Sequence, residues 1–313
     1  MEDVPPDDIL SWENLIYIAD FIQSSGENSL SLLGGEPFLH PDFVDYVLYL
    51  INRGFHVNVF TSGIMSDACF NKVCQHLLNI NPRQLSFVCN LNDPAKTSFS
   101  ELENIKRFLT IFSKYTTLSI NIYKVNFELD YAIQYINTYG LNRHIRIGLA
   151  HPIPGKKNVY IPIDKLQLMA NRFAEFLPKL EQFNIEAGFD CGLPMCLFSD
   201  DNLGKLFKLN KGNVKFSCGT AVDIGPDMNI WACFPLSSYQ KKSIFEFQNI
   251  HDVHNYYMQF HRRVRTEIGG IFEKCNSCKY REKEICSGGC LAHILNHFIT
   301  EEKVRYEEVY PNE

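Results

Sequence analysis

The first part of the chain repeats one unit, a short apolar run followed by a segment with helical periodicity. The unit recurs about every 30 residues, which is the length of one βαβ unit. The five runs are Leu30–Leu33, Phe55–Phe60, Gln84–Cys89, Thr117–Tyr123 and His144–Ala150. Strands that alternate with helices pair in parallel, because the helix carries the chain back to the starting edge of the sheet. The pattern therefore predicts an α/β fold built on a partial (β/α) TIM-like barrel or an open parallel sheet.

The series begins on a helix. Ser11 is a suitable N-cap, and Leu15, Ile18 and Ile22 share one face of the segment that follows. A parallel sheet that lacks its first strand exposes an apolar edge, which folded proteins avoid. We therefore predict that five of the six barrel strands are present and that the missing strand precedes Met1.

The first apolar run stops abruptly at Gly34-Gly35-Glu36-Pro37, and the runs beginning at Phe55 and Gln84 are followed by Thr61-Ser62-Gly63 and by Asn90. The carboxyl ends of parallel strands are where α/β folds bind their ligands. Glycines let the backbone turn sharply or approach a ligand closely. Backbone carbonyls beside one carboxylate suit a ligand that bears an ammonium group. The alternative is that these residues form an ordinary strand-to-helix turn.

The cysteines are unevenly distributed. Of the 11 cysteines, eight lie between Cys191 and Cys290, and the last four follow the spacing Cys275-x2-Cys278-x7-Cys286-x3-Cys290. In a chain without an export signal such clustering favours metal ligands over disulfides. One zinc ion uses at most four thiolates, whereas two iron–sulfur clusters use about eight. We therefore favour clusters, and a single zinc site stays open. We place a domain boundary near residue 185, between a barrel domain (1–185) and a small cysteine-rich α+β domain (186–313).

Composition and charge exclude several classes of protein. The formal net charge of −6 argues against a general nucleic-acid binder. No apolar run approaches the roughly 18 residues needed to cross a bilayer, and the acidic N-terminus does not resemble a signal peptide. We therefore expect a cytoplasmic protein with neither a membrane nor a nucleic acid as partner.

Together these motifs resemble the radical S-adenosylmethionine (radical SAM) enzymes that carry a C-terminal SPASM domain with auxiliary iron–sulfur clusters. The resemblance rests on Gly34–Pro37 after one strand, Thr61–Gly63 after the next and the cysteine-rich C-terminal part, and it covers nearly the whole chain. The family motif Cys-x3-Cys-x2-Cys, which binds the SAM-cleaving cluster, is absent. In the family this motif follows the first strand, so the resemblance implies one missing segment before Met1 that carries both. Without that segment we expect the chain to be inactive.

The resemblance also implies which residues bind cofactors, although it identifies no catalytic residue. For SAM these are Gly34, Gly35, Glu36 and Pro37 at the amino group, with Ser62 and Asn90 at the nucleoside or the carboxylate. One auxiliary [4Fe–4S] cluster would use Cys275, Cys278 and Cys286, and its usual fourth thiolate is missing because no cysteine follows Cys290. The other cluster would use Cys218, Cys233 and Cys290, with Cys196 or Cys191 as a fourth ligand. Cys191 and Cys196 are otherwise expected to line the substrate path or to be buried structural thiols.

The activity implied by the resemblance is hydrogen abstraction by a 5′-deoxyadenosyl radical. The expected substrate is a peptide or protein side chain, and the expected reductant is a ferredoxin or flavodoxin. Two other readings remain open, namely a catalytically inactive iron–sulfur paralogue or scaffold and a zinc-stabilised binding module.

Overall fold

The computed structural model describes residues 9–301, and the side chains of residues 9–296; the acidic residues at the N-terminus lie outside this range. Its helices are α1 (Trp12–Gln23), α2 (Phe43–Asn52), α3 (Asp67–Leu77), α4 (Phe99–Ile111), α5 (Asp130–Tyr139), α6 (Leu166–Gln182), α7 (Asp200–Leu209), α8 (Ile250–Glu267), α9 (Lys279–Glu282) and α10 (Leu291–Glu301). Its strands are β1 (Ser29–Leu32), β2 (His56–Thr61), β3 (Leu85–Asn90), β4 (Thr116–Ile122), β5 (His144–Leu149), β6 (Glu186–Phe189), β7 (Asp223–Ile224), β8 (Asn229–Trp231) and β9 (Lys242–Ser243). None of these helices is both long and apolar enough to span a membrane.

Strands β1–β6 form one six-stranded sheet in chain order. The first four strands pair in parallel, with Leu32 opposite Val59, Thr61 opposite Cys89 and Asn90 opposite Ser119. A helix connects each strand to the next, as parallel pairing requires. The predicted α/β class and the five predicted strands are therefore confirmed.

The predicted number of strands was one too low, because β6 was not predicted. This strand has four residues, of which only Ala187 is buried, and Gly188 interrupts any apolar pattern. The N–H group of Glu186 donates to the carbonyl of Arg143, next to the start of β5, at 3.0 Å. Such a segment is recognised as a strand only by its hydrogen bonds to a neighbouring strand, and its own sequence does not indicate them.

The two faces of the sheet differ in polarity. Side chains alternate along a strand, so Val57 and Phe87 point to a face covered by helices and are fully buried. Phe87 packs edge-on against Phe108 of α4, with 5.3 Å between the ring centroids. On the opposite face Ser86 donates to the Asn58 side chain at 3.0 Å. The apolar core therefore lies on one side of the sheet, and polar groups line the other.

The chain forms two compact units. The first comprises Met1–Asn121, Glu128–Ile147 and Lys179–Ala187, and the second comprises Ile122–Phe127, Gly148–Pro178 and Gly188–Glu313. The domain boundary near residue 185 stays a prediction.

The turn residues Gly225-Pro226-Asp227-Met228 predict a hairpin between Ala221–Ile224 and Asn229–Cys233, and this hairpin is present. Strands β7 and β8 pair antiparallel, and β9 extends them to three strands. The turn is closed by the Gly225 N–H group, which donates to the Asn229 carbonyl at 2.8 Å. The Tyr257 hydroxyl of α8 donates to the Ile230 carbonyl at 2.8 Å and so fastens the helix to the hairpin.

Two buried histidines lie in the second unit. His151 follows β5 and is 6% exposed, and His293 of α10 is 3% exposed. Their rings meet edge to face with 5.3 Å between centroids. Among the described residues neither ring nitrogen of His151, nor Nε2 of His293, has a hydrogen-bond partner. Burial lowers the pKa of His151 to about 3, with a contribution from His293, and it lowers the pKa of His293 to about 4.

These pKa values predict that the folded state loses stability in acid. Unfolded imidazoles take up a proton near pH 6.5, whereas these two remain neutral in the folded state until about pH 4. Between about pH 4 and pH 6.5 the unfolded state therefore binds more protons than the folded state. The stability contribution is complete above pH 6.5 and falls as the pH drops. For His151 the loss between pH 7 and pH 5 is about 2 kcal/mol.

The His151→Leu substitution tests this prediction, since leucine has a similar volume and does not titrate. Thermal unfolding at pH 7 and at pH 5 should show a smaller pH dependence for the variant than for the wild type. His76→Gln, on an exposed position of α3, is the matched control and should leave the pH dependence unchanged. Equal pH dependence in wild type and His151→Leu would contradict the prediction.

Candidate cofactor and metal sites

The Glu36 carboxylate connects the ends of the first two strands. It accepts hydrogen bonds from the Thr61 hydroxyl at 2.6 Å, from the Ser62 N–H group at 2.7 Å and from the Ser62 hydroxyl at 2.5 Å. The Phe38 N–H group donates to it at 3.3 Å. A carboxylate has about four acceptor positions, so these four bonds occupy them all. In this arrangement a ligand ammonium group can bind Glu36 only by replacing one of its present partners.

The glycines before Glu36 leave open space beside the backbone. Gly34 has a φ of +146°, a conformation that residues with a side chain rarely adopt. Among the described residues, no heavy atom lies within 4 Å of a Cβ built at Gly34 or at Gly35. The backbone at the carboxyl end of β1 is therefore accessible to a ligand.

Asn90 supplies a second polar group at this edge of the sheet. It ends β3, one residue beyond Cys89, which pairs with Thr61. Its Oδ1 atom is buried and has no hydrogen-bond partner within the described part of the chain. A buried acceptor without a partner costs about 1–3 kcal/mol, which a ligand donor would recover. Of the residues predicted to contact SAM, Asn90 has the geometry that most favours a ligand.

Four thiols of the second unit surround one cavity. Cys196, Cys275, Cys278 and Cys286 line a space of about 260 Å³. Burial raises the pKa of Cys275, and the charges of Cys196, Cys286 and Cys278 raise it further, which places all three near its sulfur. Pro194, Met195, Tyr280 and Arg281 line the same space, so its volume includes more than the gap between the four sulfurs.

The other four thiols form a second group. A hydrogen bond between the Cys218 and Cys290 thiols, with help from Arg265, lowers the pKa of Cys218 against the effect of burial. The pKa of Cys290 is raised, first by that hydrogen bond and burial and then by the charges of Cys218, Cys191 and Cys233. Within residues 9–296 no three His, Cys, Asp or Glu side chains converge on a position for a single metal ion. The thiols of each group therefore lie near one another but do not converge on a position for a single ion.

The backbone between Cys286 and Cys290 is shaped by glycine. Gly288 and Gly289 have φ values of +77° and +104°, and the Gly288 N–H group donates to the Cys286 sulfur at 3.4 Å. Hydrogen bonds of this kind stabilise thiolate ligands and tune the clusters they hold. The Ser287 hydroxyl accepts from the N–H group of Cys218 at 3.0 Å, which joins the segment to the other thiol group.

Sequence reasoning missed three residues that support these thiols. A Cβ built at Gly270 would lie 2.7 Å from the Cys275 sulfur, so only glycine fits there. Arg281 donates to the Cys275 carbonyl at 3.0 Å, and Arg265 donates to the Cys218 carbonyl at 3.0 Å. The Gly269-Gly270 pair was the only signal in the sequence, since neither arginine belongs to a cysteine motif.

The structure places all eight predicted cysteine ligands in the second unit. It keeps Cys275, Cys278 and Cys286 together, and it keeps Cys218, Cys233 and Cys290 together, as the resemblance implied. It separates the two cysteines whose place was open, because Cys191 lies with the second group and Cys196 lies with the first. The predicted SAM contacts Gly34, Gly35, Glu36, Pro37, Ser62 and Asn90 all follow or end β1, β2 and β3 in the first unit.

The hydrogen bonds of Glu36 predict a stabilising role that is independent of any ligand. In Glu36→Gln the amide NH₂ group cannot accept from the Ser62 N–H group, and the charge is lost. We expect a loss of about 2 kcal/mol in the free energy of unfolding, measured by urea denaturation. The matched control is Glu27→Gln on an exposed residue. A variant as stable as the control would show that the bonds contribute nothing.

Solved structures share the fold of this chain, although no protein-family model and no curated protein matches it. SuiB of Streptococcus suis bound to S-adenosylmethionine is 15% identical, with a TM-score of 0.60, and the match covers 93% of this chain and 67% of SuiB. SuiB bound to its precursor peptide SuiA gives 15% identity and a TM-score of 0.57 over 92% of this chain and 65% of that one.

A second protein matches over almost its whole length. Native anSMEcpe with bound AdoMet is 13% identical, with a TM-score of 0.59, and the match covers 99% of this chain and 91% of anSMEcpe. By contrast, the chain spans about two thirds of the length of SuiB. The chain therefore has the α/β fold of SuiB and anSMEcpe, with polar strand ends in one unit and eight grouped thiols in the other.

Proposed function

We propose that this chain belongs to a radical SAM enzyme with a SPASM-type C-terminal domain, which modifies a peptide or protein side chain. One observation carries the proposal. Two groups of four thiols follow an α/β sheet whose carboxyl edge presents Gly34, Gly35 and an unpartnered Asn90 oxygen. The two features together match the two kinds of cofactor that this chemistry requires.

In the proposal the edge formed by β1, β2 and β3 binds SAM. The carbonyls at Gly34 and Gly35 accept from its amino group, and Asn90 and Ser62 orient the nucleoside or the carboxylate. Glu36 and Pro37 hold this segment in place, with Glu36 tied to the end of β2. When bound with its iron–sulfur cluster, SAM supplies a 5′-deoxyadenosyl radical that abstracts hydrogen from the substrate. The protein binds and orients the reactants and excludes water.

The thiol groups are proposed to hold auxiliary [4Fe–4S] clusters, reduced by a ferredoxin or flavodoxin. The ligands of the SAM-cleaving cluster are not in this sequence, so the proposed activity requires a longer form of the protein that supplies them. We also propose that the protein is cytoplasmic, where thiolate ligands stay reduced, and that it consists of a barrel domain (1–185) and a cluster domain (186–313).

The peptide substrate is proposed from the structural neighbours. SuiB is bound to a precursor peptide in one structure, and anSMEcpe is bound to AdoMet with the peptides Kp18Cys and Cp18Cys in two others. A cluster-bearing scaffold without catalysis is the second candidate, which the absence of a Cys-x3-Cys-x2-Cys motif from the sequence favours.

Metal analysis of the anaerobically reconstituted chain tests the cofactor part of the proposal. We expect iron and acid-labile sulfide in about equal amounts. Cys278→Ala should remove about half of the iron, because it breaks one thiol group and leaves the other. Cys69→Ala, in the first unit, is the control and should bind as much iron as the wild type. Stoichiometric zinc without sulfide would instead favour the zinc-stabilised binding module.

Turnover by a version extended with its upstream coding sequence tests the enzymatic part. Co-expression with small open reading frames beside the gene should change the mass of one encoded peptide, and 5′-deoxyadenosine should form with SAM. Alanine substitution of the upstream cysteine triplet should abolish both. Release of 5′-deoxyadenosine with a free small molecule and no peptide modification would contradict the peptide substrate, and no SAM cleavage at all would favour the scaffold.

A further inference from the structure

Two short segments each contribute one thiol to both thiol groups. Cys286 and Cys290 lie four positions apart, the former at the 260 Å³ cavity and the latter beside Cys218. Cys191 and Cys196 repeat this arrangement five positions apart in the loop after β6, which we call the bridging loop (191–196). The sequence gave no reason to assign Cys191 and Cys196 to different thiol groups.

Cys196 is held at the cavity by its neighbours. It is exposed, whereas Leu193 and Leu197 on either side of it are each 2% exposed. The carbonyl of Leu197 accepts from the Gln167 side chain at 2.6 Å, which fixes the turn that follows. Cysteine is among the residues most often buried, so an exposed thiol between anchored leucines is unusual for a packing role. Its position on the cavity wall with three further thiols accounts for it.

The other end of the bridging loop is packed against the second thiol group. A Cβ built at Gly192 would lie 2.6 Å from the Cβ atom of Cys218 and 2.8 Å from the Ser287 hydroxyl. Only glycine allows the loop to pass so close to Cys218. Cys191 immediately precedes Gly192, so its backbone lies next to the segment that carries Cys218.

We propose that the bridging loop completes both thiolate sets. Cys196 is the fourth ligand beside Cys275, Cys278 and Cys286, and Cys191 is the fourth beside Cys218, Cys233 and Cys290. This inference rests on the iron–sulfur clusters of the proposed function. The cysteine that the family places after the last motif is thus replaced by Cys196, which precedes Cys275 in the chain.

Complete ligation limits what the clusters can do. A cluster with four thiolates has no iron position open to an incoming ligand. A structural zinc site is closed in the same way, whereas a catalytic zinc site keeps one position open. Both clusters then serve in electron transfer or in holding the fold together, and neither binds the substrate directly through iron.

The test compares Cys196→Ser, Cys191→Ser and Cys74→Ser in the full chain, reconstituted anaerobically. We expect each of the first two variants to lose up to about half of the iron, or to convert one cluster to a three-iron form that electron paramagnetic resonance detects. Cys74→Ser, in the first unit, should match the wild type. Ferrous iron, a reductant and a small external thiol added together should restore the four-iron spectrum of Cys196→Ser and should leave the spectrum of the wild type unchanged.

Combination with Cys278→Ala decides which set each residue completes. In that background Cys196→Ser should cause no further loss of iron, because its set is already broken, whereas Cys191→Ser should remove the remaining cluster. Circular dichroism of each apo variant reports whether it folds. A wild type that binds two clusters and a Cys196→Ser variant with an identical spectrum would overturn the inference and leave the proposed function standing. Additional iron loss from Cys196→Ser in the Cys278→Ala background would overturn it as well. A wild type without iron would count against the proposed function itself.

Discussion

Parallel pairing of β1–β6 is the constraint on which the rest of the first unit depends. It brings the carboxyl ends of all the strands to one edge, and each of these ends is followed by a turn instead of a continuing ladder. Backbone groups that leave the ladder need new partners, and Glu36 supplies several of them by accepting from the main chain and the hydroxyls of its neighbours. The same edge retains the unpartnered oxygen of Asn90. Residues that form structural hydrogen bonds and a residue with an unused acceptor therefore lie side by side at this edge.

Glu36 belongs to the Gly34–Pro37 motif, which was expected to bind a ligand, and it also has a structural function within the protein. A carboxylate at the end of a strand was expected to face a ligand, yet its four acceptor positions are used within the protein. The open space lies instead beside the Cα atoms of the two glycines before it, as far as the described residues extend. A substitution of Glu36 would thus alter both stability and any ligand site, and only a measurement of each can separate the two effects.

In the second unit, glycines and arginines pack closely against the segments that carry the thiols. Gly192 and Gly270 lie where a side chain would collide with Cys218 or Cys275. Arg265 donates to the Cys218 carbonyl and Arg281 to the Cys275 carbonyl, which holds the arginines against the thiol-bearing segments. Thiols held this close share protons, which explains why the pKa of Cys218 is lowered and that of Cys290 is raised.

The sequence by itself determined the elements with strong local patterns. The period of apolar runs predicted five strands, Ser11 predicted the start of α1, and Gly225–Met228 predicted the hairpin turn, because each signal lies within a few residues of the element it specifies. Cysteine spacing likewise predicted metal ligands in the C-terminal part, and the family resemblance implied the grouping of Cys275, Cys278 and Cys286. Only the tertiary structure revealed β6, whose four residues are defined by their neighbour, and the saturation of Glu36 by Thr61 and Ser62, which are distant in sequence. The sequence also could not assign Cys191 and Cys196 to a thiol group, because they lie only five positions apart and the intervening chain can reach either group. The packing of the bridging loop decides the assignment.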